Sequence, residues 1–106
     1  LSISLPYSVS TAINQLKKLN VSKNTALHQL YCNVNELKKL DVRQNAALTS
    51  LDCSRNRLKA LDLSENTALW SLICSYNQLT QLDFSHNRAL HELRCTGNLL
   101  KSLGLS

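Results

Sequence analysis

Apolar positions recur along this chain at a fixed interval of 21 residues. The stretch LTSLDCSRNRLKALDLSENTA, residues 48–68, shows the unit. The 21 residues before it read LHQLYCNVNELKKLDVRQNAA, and the 21 after it LWSLICSYNQLTQLDFSHNRA. A period of this length marks architectures in which similar coils stack and each touches only its neighbours.

Each unit contains two nested halves, L-x-x-L-x-C-x-x-N-x and L-x-x-L-D-L-S-x-N-x-A. Within L-x-C and L-D-L apolar residues alternate with polar ones. A period of two predicts a short strand with one face buried. Asn follows each strand, at 14, 35, 56, 77 and 98 in one column and at 24, 45, 66 and 87 in the other. Asn tolerates unusual backbone angles and bonds the local backbone, so both columns predict corners. Their side chains are expected to satisfy backbone groups of the adjacent coil. Two strands and two tight corners leave no room for a helix. The prediction is a β-rich, right-handed stack of about five coils with short parallel strands on two faces.

The units divide the chain into a degenerate first coil, residues 6–26, three regular repeats at 27–47, 48–68 and 69–89, and a partial one at 90–106. No linker or second domain interrupts them, so residues 1–106 read as one domain. The weak first half-coil and the stop in mid-coil predict a fragment of a longer chain or end-to-end self-association.

Four cysteines change the picture less than their number suggests. Cys32, Cys53, Cys74 and Cys95 fall one per unit, each where Leu would serve. Stacked strands lie about 4.8 Å apart. A disulfide wants its Cβ atoms about 3.8 Å apart. The column therefore predicts free thiols packed as small hydrophobes. A column does not converge on a point, so it predicts no metal site.

The quoted segments resemble a known family. L-x-x-L-x-C-x-x-N-x-L is similar to the conserved segment of leucine-rich repeats. The nested 21-residue form resembles a short bacterial subclass called IRREKO, from about Pro6 onward. The resemblance implies a solenoid whose first-half strands form a parallel sheet on one face. It also implies a protein-binding role and, for bacterial members, a secreted or cell-surface setting. No LPxLP segment of the bacterial effector ubiquitin ligases is present. The N-terminus, LSISLPYSVS, does not read as an intact signal peptide. No apolar run approaches the roughly 18 residues of a membrane helix.

Outward positions vary where the buried ones barely do. Tyr31, Asp52, Ile73 and Arg94 form one column of the first sheet. Val34, Arg55, Tyr76 and Gly97 follow the strand, and His28, Thr49, Trp70 and His91 precede it. Aromatics and Arg are common interface anchors. Tyr31, Asp52, Arg55, Trp70, Ile73, Tyr76 and Arg94 are therefore the candidate partner-binding residues, with edge packing as the alternative for Trp70 and Tyr76.

The second sheet carries Lys17, Lys18, Lys38, Lys39, Lys59 and Lys101 beside the column Asn20, Asp41, Asp62 and Asp83, with Lys39 expected near the carboxylates. The net charge of +5 favours anions weakly. Single-stranded nucleic-acid surfaces interleave aromatics with their basic groups, and here the aromatics sit mostly on the other face, so no nucleic-acid partner is expected. Neither a nucleophile–base arrangement nor a glycine-rich phosphate loop follows from the register, so the chain reads as non-enzymatic and cofactor-free. The sequence predicts protein recognition through the first sheet. A structural or self-associating scaffold and an accessory domain of a larger surface protein remain alternatives.

Overall fold

The computed structural model describes residues 7–11 and 15–104 of the chain. Pro6 and Asn14, and the close of the last unit at Leu105 and Ser106, lie outside them. Seven strands of three residues each alternate with corners, and no helix occurs among the described residues.

Five strands form one parallel sheet: β1 (Ser8–Ser10), β2 (Gln29–Tyr31), β3 (Ser50–Asp52), β4 (Ser71–Ile73) and β6 (Glu92–Arg94). Their register keeps the sequence period, with Val9, Leu30, Leu51, Leu72 and Leu93 paired in turn. Leu30, Leu51 and Leu72 point into the core at 0–1% exposure. The two residues flanking each stay at least partly accessible in β2 and β3, as alternation requires.

The second face is less regular. β5 (Gln81–Asp83) and β7 (Ser102–Gly104) pair as a two-stranded ladder. Before them the coils meet on this side through isolated bonds such as Glu36 N–H to Leu16 O, Arg57 N–H to Leu37 O and Gln78 N–H to Leu58 O. Isolated bonds hold the coils together but do not make a ladder. The expected second row of strands is thus regular only at its C-terminal end.

The core is a continuous column. Leu27, Leu30, Cys32, Leu37, Leu40 and Val42 of one coil pack on Leu48, Leu51, Cys53, Leu58 and Leu63 of the next. These side chains would be exposed in a lone coil, so burial and coil stacking are one event. The thiols are free, with Cys32, Cys53 and Cys74 buried and Cys95 partly so. Burial first, then the Asp52 carboxylate, pushes the Cys32 thiol up to about 12.

The two Asn columns differ. In the first, Asn56 Nδ2 donates to Cys32 O of the preceding coil and to Cys53 O of its own, both at 3.0 Å. Its Oδ1 accepts Leu37 N–H at 3.0 Å. Asn35, Asn77 and Asn98 repeat that acceptor role toward Leu16, Leu58 and Leu79. In the second column, Asn66 Nδ2 donates to Val42 O and Asn45 O at 2.9 and 3.0 Å. The buried Oδ1 atoms of Asn45, Asn66 and Asn87 have no hydrogen-bond partner. Bonding to backbone amides therefore belongs to the first column alone, and it reaches back to the preceding coil.

The corners after β2, β3, β4 and β6 use the left-handed region. Val34, Arg55 and Tyr76 have φ of 57–58°, and Gly97 has 71°. L-residues rarely adopt these angles, and β-branched ones least of all. The next coil holds the conformation: Val34 N–H bonds Ser54 O, Arg55 N–H bonds Ser75 O and Tyr76 N–H bonds Thr96 O, at 2.7–2.9 Å.

Candidate functional site

The outer face of the five-stranded sheet is the floor of a trough defined by the two columns that flank its strands. Small hydroxyl residues line its floor: Ser50 and Ser71 in the strands, Ser54 and Ser75 after them. Ser71 Oγ donates to Glu92 Oε1 at 2.8 Å, and Ser54 Oγ to Asp52 Oδ1 at 2.7 Å. Ser54 N–H also bonds Asp52 Oδ1, at 3.1 Å, so this carboxylate is held from two sides. Tyr31 and Ile73 are partly buried in the same floor, and Arg94 is exposed.

The trailing rim is the left-handed corner column. Arg55 lies over the Tyr76 ring, 4.4 Å from its centroid. Arg55 and Tyr76 are both exposed, and the Tyr76 ring extends over Gly97. The leading rim is a column of rings. Tyr7 stacks on His28 with centroids 4.4 Å apart and planes 12° from parallel. Trp70 stacks on His91 at 5.3 Å and 15°.

These positions show how the candidate residues are grouped. The residues Tyr31, Asp52, Arg55, Trp70, Ile73, Tyr76 and Arg94 do share one face. They do not form one aromatic cluster. Trp70 and Tyr76 stand on opposite rims, six residues apart along the same coil. At about 3.3 Å per residue that is on the order of 15–20 Å. Edge packing and exposure coexist: Trp70 stacks on a neighbour yet is 50% exposed, and Tyr76 is 49% exposed.

Tyr7, His28 and His91 join the face without having been candidates. The signal for them is the same period, Tyr7, His28, Thr49, Trp70, His91. It was obscured because Tyr7 lies in the degenerate first coil.

The opposite side has clefts rather than a trough. Lys17, Lys18, Lys38, Lys39, Glu36 and Arg57 border one of about 690 Å³, and Lys59, Arg43 and Asp62 extend a second. Both charge signs line them, and the walls are largely Lys stems. Lys39 and Asp41 border the same cleft, as expected, but the Asp41 carboxylate takes another partner. It forms a two-pronged pair with Arg43, at 2.9 and 3.0 Å. That pair, with the Arg43 N–H, holds the Asp41 carboxyl down at about 2. Among the described residues no group of three or more His, Cys, Asp or Glu is placed to hold a metal ion. No described helix is long and apolar enough to cross a membrane.

The solenoid as a whole superposes on a solved structure described as the functional domain of InlJ from Listeria monocytogenes, including a cysteine ladder. The TM-score is 0.89 and the identity 32%, over 97% of this chain. The fold is a leucine-rich repeat. The chain spans 24% of the length of that InlJ domain. Internalin C2 from the same organism matches at TM-score 0.78 and 17% identity, over 86% of this chain and 46% of its own. The leucine-rich repeat domain of APL1B matches at TM-score 0.78 and 23% identity, over 92% of this chain and 36% of its own. No protein-family model matches the chain, and no curated protein sequence does. The leucine-rich repeats here carry their own column of cysteines, one per coil from Cys32 to Cys95.

Proposed function

We propose that this leucine-rich repeat chain is a non-enzymatic recognition module that binds a protein partner through the trough of the β1–β2–β3–β4–β6 sheet. The observation that carries this reading is the contrast between the two sides of each strand. Inward columns repeat Leu and Cys, whereas outward columns such as Tyr31, Asp52, Ile73 and Arg94 vary from coil to coil, and the face includes exposed Trp70 and Tyr76. Packing alone explains a constant interior. A varied, amphipathic exterior with large rigid rings suits docking. Tyr31, Asp52, Arg55, Trp70, Ile73, Tyr76 and Arg94 are the proposed contacts. The likeness to internalin-type structures supports a bacterial surface or secreted setting, and the chain's own 21-residue period supports a place in the nested 21-residue subclass.

The reading is tested by identifying the captured partner and measuring its affinity for single variants. Tyr31→Ala and Trp70→Ala each weaken binding by about tenfold or more, in line with interface hot spots. Their thermal midpoints stay near that of the parent. If both variants bind normally, the trough is not the interface. Self-association is a separate reading, and sedimentation across a concentration series separates it: a partner-binding module stays monomeric.

A further inference from the structure

We propose that the gap above Thr49, between the rings of His28 and Trp70, receives one aromatic side chain of the protein partner. This inference rests on the proposed docking of a protein on this face and names the group it would insert.

The leading rim is a ladder of rings with one rung missing. Its members follow the repeat: Tyr7, His28, Thr49, Trp70 and His91. Backbone bonds join the rungs directly, from Thr49 N–H to His28 O at 2.7 Å, Trp70 N–H to Thr49 O at 2.8 Å and His91 N–H to Trp70 O at 2.8 Å. Each step is therefore one parallel-strand spacing. Two of the steps already hold ring pairs, at 4.4 and 5.3 Å. His28 and Trp70 are two steps apart, about 9.6 Å. A ring placed midway would lie about 4.8 Å from each, within the range of stacked aromatic pairs.

The walls are held in place before any partner arrives. His28 Nδ1 lies 2.8 Å from Ala26 O, and His91 Nδ1 lies 2.6 Å from Ala89 O. A carbonyl oxygen only accepts, so each Nδ1 carries the hydrogen and each imidazole is tied to its own backbone. Thr49 is too short to fill the rung. Its Oγ1 donates to His28 O at 3.1 Å, which turns the hydroxyl down to the backbone.

The walls select the occupant. The slot is walled by an imidazole and an indole, and on the same face Arg55 and Arg94 are offset by Asp52 and Glu92. With no net charge beside it and a ring on either side, the slot has an uncharged ring as its matching insert.

Trp70 is the only tryptophan, so its indole N–H gives one resolved NMR signal. N-acetylphenylalaninamide titrated into the intact chain is expected to shift this signal and the His28 ring signals along one binding curve. Thr49→Ala keeps the gap and retains binding within about threefold. Thr49→Tyr supplies the rung from within and weakens binding by about tenfold or more. Thr49→His does the same and guards against a folding defect peculiar to one variant. The proposal is overturned if Thr49→Tyr and Thr49→His bind the probe like the parent. It is also overturned if Trp70 responds without His28, or if N-acetylargininamide or maltose binds more tightly than the phenylalanine probe. With the captured protein partner, failure of the slot alone leaves Ile73→Asp disruptive and Thr49→Tyr silent. Failure of the docking reading leaves both silent.

Discussion

The Tyr76 ring occupies the space that a Cβ on Gly97 would need. Gly97 also has φ +71°, where L side chains are strained. Gly97→Ala is therefore expected to cost about 1–3 kcal/mol of stability. The contact part is separable from the backbone part. In a Tyr76→Ala background the same change costs less, because the ring is gone and only the dihedral strain remains. Urea denaturation of the four variants of this cycle measures the difference.

Val34 occupies the equivalent corner with φ 57°, and no glycine relieves it. A β-branched residue is among the least suited to that region. Its side chain is exposed, so little packing is lost on replacement. Val34→Asn, which tolerates the left-handed region, is expected to stabilise the chain by about 0.5–1 kcal/mol. An unchanged or lowered urea midpoint would contradict this.

Asn56 and Asn66 occupy corners of the same coil and are both buried, yet they are not equivalent. Removing the Asn56 side chain strands the Leu37 amide, whereas the Cys32 and Cys53 carbonyls keep a second bond, from Asn35 Nδ2 and Asn77 Nδ2. Removing that of Asn66 takes one of two bonds from each of the Val42 and Asn45 carbonyls, which keep Asn45 N–H and Leu48 N–H, and eliminates an oxygen that has no partner. Asn56→Ala should cost the more of the two, by about 1–3 kcal/mol, the penalty of one extra unsatisfied buried group. Equal losses would mean that the two columns contribute alike.

The thiol column predicts an order of chemical labelling. Burial pushes Cys74 up to about 12 and Cys53 well above the ordinary thiol value, with neighbouring sulfurs adding to both. Iodoacetamide at pH 8 should modify Cys95, which is partly exposed, well before Cys32, Cys53 and Cys74. Those three become reactive only when the coils open, so their rates rise with urea while the Cys95 rate changes little. Peptide mapping by mass spectrometry reads the order.

Acid should loosen the second face. Arg43 holds the Asp41 carboxyl at about 2, and the Ser64 and Ser85 groups hold Asp62 and Asp83 below the usual range. A carboxylate with a lowered folded value stabilises the fold above about pH 4 and loses that contribution as pH falls toward 2. Asn20 makes the same turn, with Oδ1 accepting Ser22 N–H at 2.9 Å. Replacing Asp41, Asp62 and Asp83 by Asn should therefore keep the turns and flatten the acid slope. Thermal midpoints between pH 5 and 2 test this.

Much of the fold was legible before any coordinates. Leu30, Leu51, Leu72 and Leu93 align in the structure as they align in the repeat. A strand period of two inside a 21-residue unit has few ways to bury Leu and Cys, and stacking in register is the simplest. The same periodicity indicated free thiols, since a vertical spacing near 4.8 Å is too long for a disulfide. It could not distinguish the two Asn columns, which look alike as letters. Which Oδ1 meets an amide depends on how the neighbouring coil turns.

The candidate site shows the same division. Its residues could be read from the outward columns, but their grouping could not. Trp70 and Tyr76 are close in sequence and stand on opposite rims, whereas Trp70 and His91 are 21 residues apart and stack at 5.3 Å. The sequence by itself determined the repeat, the inward side chains and the vertical columns, because hydrophobic burial acts on every coil alike. Tertiary structure alone decided which columns become rims, which ring rests on which, and where a rung is missing. Those outcomes depend on side-chain directions at corners held in the left-handed region by bonds to the next coil, and no single unit contains that information.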